Sequence, residues 1–262
     1  MTRARLTRDS VATARRIVVK VGSSSISGEN ADQIDPLVDA LVTAYSRGAE
    51  VILVSSGAIA TGMPFLQLDA RPDDLATQQA AASVGQNVLI YRYQNSLRRY
   101  GIVAGQVLLT AGDLENDTHR LNAQRAMERL LGLRILPIVN ENDTVATHEI
   151  RFGDNDRLAA MVAELVDADL LVLLSDVDAL YTRPPHLEGA ERISRVPFGD
   201  ELSGVEIGSI GRAGVGTGGA ETKVSAARIA AASGTGVLVT ATSLVSEALG
   251  GEAIGTWFEP AS

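Results

Sequence analysis

The sequence predicts an α/β fold, a three-layer αβα sandwich around a mostly parallel central sheet. Three observations predict it. Short apolar runs alternate with longer helical patterns along nearly the whole chain. Several runs, such as Val51-Ile52-Leu53-Val54 and Leu170 to Leu174, are apolar at every position, as in strands buried on both faces. Polar or glycine-bearing segments follow these runs, and open α/β sheets gather ligands at the carboxyl ends of their strands.

Taken in order, Ile17-Val18-Val19-Lys20-Val21 reads as the first strand, and Ala31 to Arg47 as a helix stopped by Gly48. The Val51 run is the second strand. An Ala/Gln-rich helical region runs from Asp73 to Arg99, with Gly85 a candidate break. Val103 to Leu108 is a strand, Arg120 to Leu131 a helix and Ile135 to Val139 a fourth strand. The polar stretch Asn140 to Asp156 reads as a loop or hairpin. A helix from Leu158 to Leu165 leads to the strand from Leu170. The segment Val205 to Gly219 is rich in glycine and short of core residues. It gives way to a helix from Glu221 to Ala232, a strand at Val237-Leu238-Val239 and a last short strand from Gly255 to Phe258. No repeat and no low-complexity linker divides the chain. Residues 1–15, with Arg3, Arg5, Arg8 and Arg15, are expected to form a flexible basic leader. Residues 16–262 are expected to form one domain.

Composition narrows the function. The 262 residues contain no cysteine and three scattered histidines, His119, His148 and His186. Disulfides and thiolate metal sites are therefore excluded, and a His-based zinc site or Ser-His-Asp hydrolase is disfavoured. A net charge of -9 argues against non-specific nucleic-acid binding and against an anionic membrane surface. No apolar run is long enough to span a bilayer, and the Arg-rich start lacks the apolar middle of a secretory signal. A cytoplasmic protein is expected.

Six segments carry candidate chemistry. Lys20-Val21-Gly22-Ser23-Ser24 leaves the first strand. A glycine turn lets the backbone approach an anion, and a lysine before it can reach a phosphate, although a solvated lysine and a plain turn fit equally. Ser55-Ser56-Gly57-Ala58 leaves the second strand and opens a helix, whose amides suit an anion; a serine N-cap would explain it as well. Asn140-Glu141-Asn142-Asp143 ends the fourth strand, where turn formation or recognition of an ammonium group by Asp143 would each account for it. Gly153-Asp154-Asn155-Asp156 precedes a helix, as an N-cap with a first-turn acid or as a functional cluster; it lacks the spacing of an EF-hand. Ser175-Asp176 ends an apolar strand, as a nucleotide neighbour or a turn. Thr217-Gly218-Gly219-Ala220-Glu221-Thr222-Lys223 runs from the glycine-rich loop into a helix, where amides and Lys223 could face phosphates. It is neither a Walker A loop nor a Rossmann fingerprint, since no strand of a βαβ unit precedes it and Lys223 follows Thr222.

In this order, the motifs at Lys20, Ser55, Asn140, Gly153 and Thr217 resemble those of the glutamate 5-kinases of the amino acid kinase family, over Ile17 to Phe258. The combination of the Asn140 and Gly153 motifs is the part specific to that group. Many bacterial members add a C-terminal PUA domain, which these 262 residues are not expected to include. The resemblance implies ATP-dependent phosphorylation of the side-chain carboxylate of L-glutamate, with Mg²⁺, as the first step of proline synthesis. It implies Lys20 and Lys223 as the phosphoryl-contacting lysines and Asp156 as the acid that holds them. Ser56, Gly57, Ala58, Asn140, Asp143, Asp154 and Asn155 would bind the acceptor. Lys20, Gly22, Ser23, Ser175, Asp176 and Thr217 to Lys223 (Thr217, Gly218, Gly219, Ala220, Glu221, Thr222) would bind the nucleotide. Feedback inhibition by L-proline through the Thr144 to Phe152 loop and a homodimer or homotetramer are further expectations. Two positions depart from the pattern: Arg151 replaces a common lysine, and Ala220 a common methionine. Kinases of the same fold acting on aspartate, N-acetylglutamate, carbamate or a nucleoside monophosphate are the alternatives, as is a non-catalytic sensor of amino acid or nucleotide.

Overall fold

A computed structural model describes residues 6–146, 155–203, 205 and 219–261. Its centre is an eight-stranded sheet. The strands are β1 (Arg16–Lys20), β2 (Glu50–Val54), β3 (Ala104–Leu109), β4 (Leu136–Glu141), β5 (Leu170–Ser175), β8 (Arg195–Val196), β9 (Gly236–Ala241) and β10 (Thr256–Phe258). Between β5 and β8, a separate antiparallel pair forms from β6 (Leu180–Tyr181) and β7 (Arg192–Ile193). The spatial order is β3-β4-β2-β1-β5-β9-β10-β8. All pairings from β3 across to β9 are parallel, and β10 joins β9 antiparallel. Strand order turns back at β1, which has β2 on one side and β5 on the other. Open parallel sheets place their ligand crevice at such a point.

The helices are α1 (Ile34–Ser46), α2 (Ala58–Gly62), α3 (Leu75–Arg98), α4 (Ala111–Glu115), α5 (Asp117–Gly132), α6 (Asn155–Leu165), α7 (Ala220–Ala232) and α8 (Val245–Gly250). They cover both faces, and the strands divide their apolar side chains between two cores. Ile17, Val19, Val51 and Leu53 pack with α1, α3 and α8; Val18, Ile52, Val139 and Val239 pack with α5, α6 and α7. Side chains alternate across a strand, so both faces of β1 and β2 must be apolar. That requirement is the reason for the uninterrupted Val/Ile/Leu runs. The three-layer α/β sandwich follows from it.

At the N-terminal side, Arg8–Thr13 is a short 3-10 helix whose Val11 is fully buried in the first core. Gly85 does not break α3, which continues for 24 residues. Instead it lets α2 cross α3 in backbone contact. A Cβ on Gly85 would overlap the Ala58 carbonyl, and one on Gly62 would overlap the Ala81 carbonyl. Ala81 and Ala82 are core residues, so that part of the Ala-rich face packs inside the molecule.

Candidate active site

The site grows from the alternation of β1. Val18 faces the core shared with α6 and α7, so Lys20, two residues on, faces the same way. Each of those helices brings one charged residue to meet it. On α6, Asp156 heads the buried stripe Ala160 and Ala163; on α7, Lys223 heads Ala226, Ala227 and Ala230. Residues at i, i+4 and i+7 share a helix face, and the packing of the alanine stripes carries the charged ends inward. Lys20 Nζ lies 2.6 Å from Asp156 Oδ1, and Lys223 Nζ lies 3.1 Å from Asp156 Oδ2. Thr222 donates its hydroxyl to the same Oδ2 at 3.1 Å. Exposures of 3% for Lys20, 6% for Lys223 and 0% for Asp156 make this a buried cluster. Burying charges costs more than a surface pair gains; two ammonium groups on opposite oxygens of one carboxylate are held against that cost by the packing around them.

The turns at the strand ends abut one another. Gly22 follows β1 as an extended N-cap of the 3-10 turn Ser23–Ser25. A Cβ at Gly22 would come within 4.0 Å of Lys20 Nζ, so the lysine head lies over this turn. Gly57 has φ +90, a left-handed conformation that favours glycine. A Cβ there would meet Ser23 Cβ at 3.1 Å. The Ser56-Gly57-Ala58 turn therefore sits directly against the Gly22-Ser23 turn. Neither Ser55 nor Ser56 caps α2: its N-cap is Gly57, without a side-chain bond. Ser55 is instead buried, its hydroxyl 2.9 Å from the Tyr93 hydroxyl. Full burial and loss of solvation push the Tyr93 phenol up, so it stays a neutral hydrogen-bonding group.

Asn140 and Glu141 belong to β4 rather than to a loop, and both are buried. Asp143 follows, partly buried, in the turn after the strand. Asn155 opens α6 and donates Nδ2 to the Ser55 carbonyl at 2.6 Å and to Asn140 Oδ1 at 2.8 Å. The ends of β2, β4 and α6 are thus joined on one side of Lys20. On the other side, Ser175 ends β5 and donates to Asp176 at 3.1 Å. Thr242, just past β9, is 2.9 Å from the Ser25 hydroxyl and donates to the Ser175 carbonyl at 3.1 Å. It ties the glycine turn after β1 to the end of β5. Gly219 caps α7, Ala220 is buried in the core beneath it, and Glu221 is exposed. Asp154, Thr217 and Gly218 lie outside the described residues.

Lys20, Asp156, Lys223, Asn155, Asn140, Ser56, Gly57, Gly22 and Ser23 therefore meet around the end of β1. The sequence reading missed Gln86, Tyr93 and Thr242. Gln86 and Tyr93 were legible only as polar side chains on the core face of α3, seven residues apart. Thr242 carried no signal beyond its place after a strand.

Comparison with known proteins agrees with this geometry. The model of the amino acid kinase family matches residues 15–241. The glutamate 5-kinase of Leifsonia xyli subsp. xyli is 77% identical over 254 residues, covering 97% of this chain and 94% of that protein. That of Clavibacter sepedonicus is 77% identical over 255 residues, covering 97% and 98%. In fold, the chain resembles a carbamate kinase from Giardia lamblia bound to AMP-PNP, with TM-score 0.70 at 11% identity over 95% of this chain and 100% of that one. The sheet order, the strand-end motifs and these similarities lead to one conclusion: the chain belongs to the amino acid kinase family, among its glutamate 5-kinases.

Proposed function

We propose a division of labour around Lys20 by which the chain carries out the reaction of its family. That reaction is ATP-dependent phosphorylation of the side-chain carboxylate of L-glutamate to L-glutamyl 5-phosphate, the opening step of proline synthesis. The supporting observation is the buried cluster of Lys20 and Lys223 on one carboxylate, Asp156. Phosphoryl transfer through a loose transition state needs positioning and charge stabilisation more than covalent help from the protein. Lys20, on a central strand, and Lys223, on a helix, reach the transferring group from two sides. Asp156 holds both ammonium groups in place. No general base is required, because a side-chain carboxylate with pKa about 4.3 is ionised at neutral pH. The acceptor and the nucleotide are both anions, which makes two lysines more useful than one.

In this reading Ser56, Gly57, Ala58, Asn140, Asp143, Asp154 and Asn155 bind glutamate, with Asp143 pairing to its ammonium group. Gly22, Ser23, Ser175, Asp176 and the Thr217 to Lys223 segment bind ATP. The N-terminal part of a single domain over residues 16–262 then serves the acceptor, and the C-terminal part the nucleotide. Among the described residues there is no group of three or more His, Asp or Glu able to cage a metal. Mg²⁺ fits as the ion carried on the ATP phosphates and water, which is its usual mode; when bound it neutralises phosphate charge. Among the described residues no helix is long and apolar enough to cross a membrane, and a cytoplasmic location accords with that and with the absence of cysteine. By resemblance the proposal extends to L-proline as feedback inhibitor, through the Thr144 to Phe152 loop beside Asp143, and to a homodimer or homotetramer. Residues 147–152 of that loop lie outside the described residues.

The test is coupled ADP release with L-glutamate and Mg-ATP, with and without L-proline. Lys223→Ala should lower kcat by about 100-fold or more, as removal of one charge-stabilising donor does elsewhere. Asp143→Ala should chiefly raise KM for glutamate. Full turnover by Lys223→Ala would remove the charge role, and a glutamate-dependent rate insensitive to proline would remove the feedback role.

A further inference from the structure

Behind the acceptor end of the sheet, three buried side-chain amides form a chain whose orientation the backbone dictates. On α3, Gln86 donates Nε2 to the Glu141 carbonyl at 3.2 Å. A carbonyl can only accept, so the other end of the amide, Oε1, faces Asn140 and takes its Nδ2 at 3.2 Å. Asn140 Oδ1 accepts the Glu141 backbone N–H at 2.9 Å, and an N–H can only donate. Asn155 places Nδ2 on the Ser55 carbonyl and on Asn140 Oδ1. Every amide is thus pinned by a main-chain group, and reversing any one would set like against like. Gln106 Nε2 is a second donor to Gln86 Oε1, at 3.4 Å.

The chain has a consequence at its far end. Both Nδ2 hydrogens of Asn155 are committed, so what remains of its amide is Oδ1, an acceptor. L-Glutamate at neutral pH has a single donor group, its ammonium, since both carboxylates only accept. With Asn155 read as a glutamate-binding residue, an Oδ1 offered to the substrate suits that ammonium, and an NH₂ there would oppose it. We propose that Gln86 is a positioning residue for acceptor recognition. By accepting from Asn140 Nδ2 it adds to the Glu141 N–H in keeping Asn140 Oδ1 on Asn155, and with the Ser55 carbonyl it helps to keep Asn155 Oδ1 for the ammonium of the substrate. Gln86 itself does not touch glutamate. Gln86 and Asn140 border a small cavity that Ser55 and Tyr93 also line. The inference rests on the reading of Asn155 as a glutamate-binding residue.

The experiment is steady-state kinetics of Gln86→Met, Gln86→Glu, Asn155→Ala and the Gln86→Met/Asn155→Ala double variant. KM is measured for L-glutamate and for ATP. Glutarate, which lacks the ammonium, is used as a competitive inhibitor against glutamate. Gln86→Met should raise KM for glutamate about tenfold, the cost of one mis-set hydrogen bond to a charged group. KM for ATP and Ki for glutarate should each stay within about twofold. Gln86→Glu, held neutral by burial, keeps an acceptor toward Asn140 and a donor toward the Glu141 carbonyl, and should recover most of the glutamate KM. In the double variant Gln86→Met should add little to Asn155→Ala, because both act through one contact. An unchanged glutamate KM in Gln86→Met beside a raised one in Asn155→Ala would overturn the inference and leave the site reading standing. An unchanged KM in Asn155→Ala would overturn the site reading itself. Equal loss for glutamate, ATP and glutarate, or full additivity in the double variant, would reduce Gln86 to a structural residue. If Gln86→Met does not fold, Gln86→Glu decides alone: a glutamate KM raised about tenfold there would overturn the acceptor role.

Discussion

At the scale of single residues, Asp156 has the most to lose. Two ammonium groups depend on its two oxygens, and its exposure is 0%. Asp156→Asn leaves the lysines without their shared anion in a buried place. It should cost about 3–5 kcal/mol of stability, the range for breaking a buried pair from one side, and should lower kcat as well. Chemical denaturation and the ADP-release assay read the two effects separately. A variant that lost kcat at unchanged stability would mean that water or a neighbouring group takes over the charge. Gly57 is the second sensitive residue. With φ at +90 and Ser23 Cβ 3.1 Å from the place a Cβ would take, Gly57→Ala must push apart the turns after β1 and β2. We expect it to raise KM for both substrates, since in the proposed site each turn serves one of them.

Elements impose constraints that no one residue shows. The α2–α3 crossing relies on glycine from both sides, and carbonyls occupy the space a methyl group would need. Backbone cannot step aside as a side chain can. Gly85→Ala should therefore destabilise by about 3 kcal/mol or more, beyond the usual range for a point change, although alanine is the better helix former. A rise in the thermal midpoint would show that propensity outweighs the clash. The short helix α4 offers a pH test. Its N-cap Thr110 and its Asp113 exchange bonds in a capping box. Burial alone would raise the Asp113 carboxyl, but bonds from the Thr110 hydroxyl and amide and from His119 outweigh it and hold the group below its ordinary 3.8. A depressed carboxylate contributes stability that is present in full above its unfolded pKa and fades as pH falls through the folded one. The urea midpoints of the wild type and Asp113→Asn should differ at pH 6 and converge in the acid range below about 3.9. A constant gap across that range would assign the effect to shape instead of charge.

On the scale of the whole molecule, both halves of the site hang on one sheet, so ligand binding and global stability are linked. The chain has one tryptophan, Trp257, 2% exposed in β10 and packed over Gly236. Its emission should shift red in a single transition that coincides with loss of far-UV circular dichroism. A ligand present at about 100 times its Kd stabilises by about 2.7 kcal/mol if it binds only the folded chain. Mg-ATP, or L-glutamate alone, should accordingly raise the midpoint read at Trp257, which belongs to neither proposed set of binding residues. If the tryptophan signal moved while the circular dichroism transition did not, the β10–β8 edge would be unfolding on its own.

Periodicity and composition alone determined the α/β class, the parallel sheet and the approximate place of its main strands. Those features come from burial on both faces, a local pattern that every strand writes in its own residues. The strand-end motifs were equally legible as a series, since glycine, serine and asparagine are needed where chain direction reverses. Their boundaries were less so. Asn140 and Glu141 extend β4, and Asn155 and Asp156 begin α6, because polar residues there are satisfied by partners distant in the chain. Lys20 was a lysine before a turn, with two readings of equal weight. Only the tertiary structure excluded the solvated one, by burying Lys20 and bringing residue 223 and residue 20 onto opposite oxygens of residue 156. The same holds for Gln86, whose amide matters through Asn140 and Glu141, which belong to a different element. Hydrogen bonds and ion pairs between distant elements leave no periodic trace in sequence. The packing that enforces them exists only once the sheet has formed.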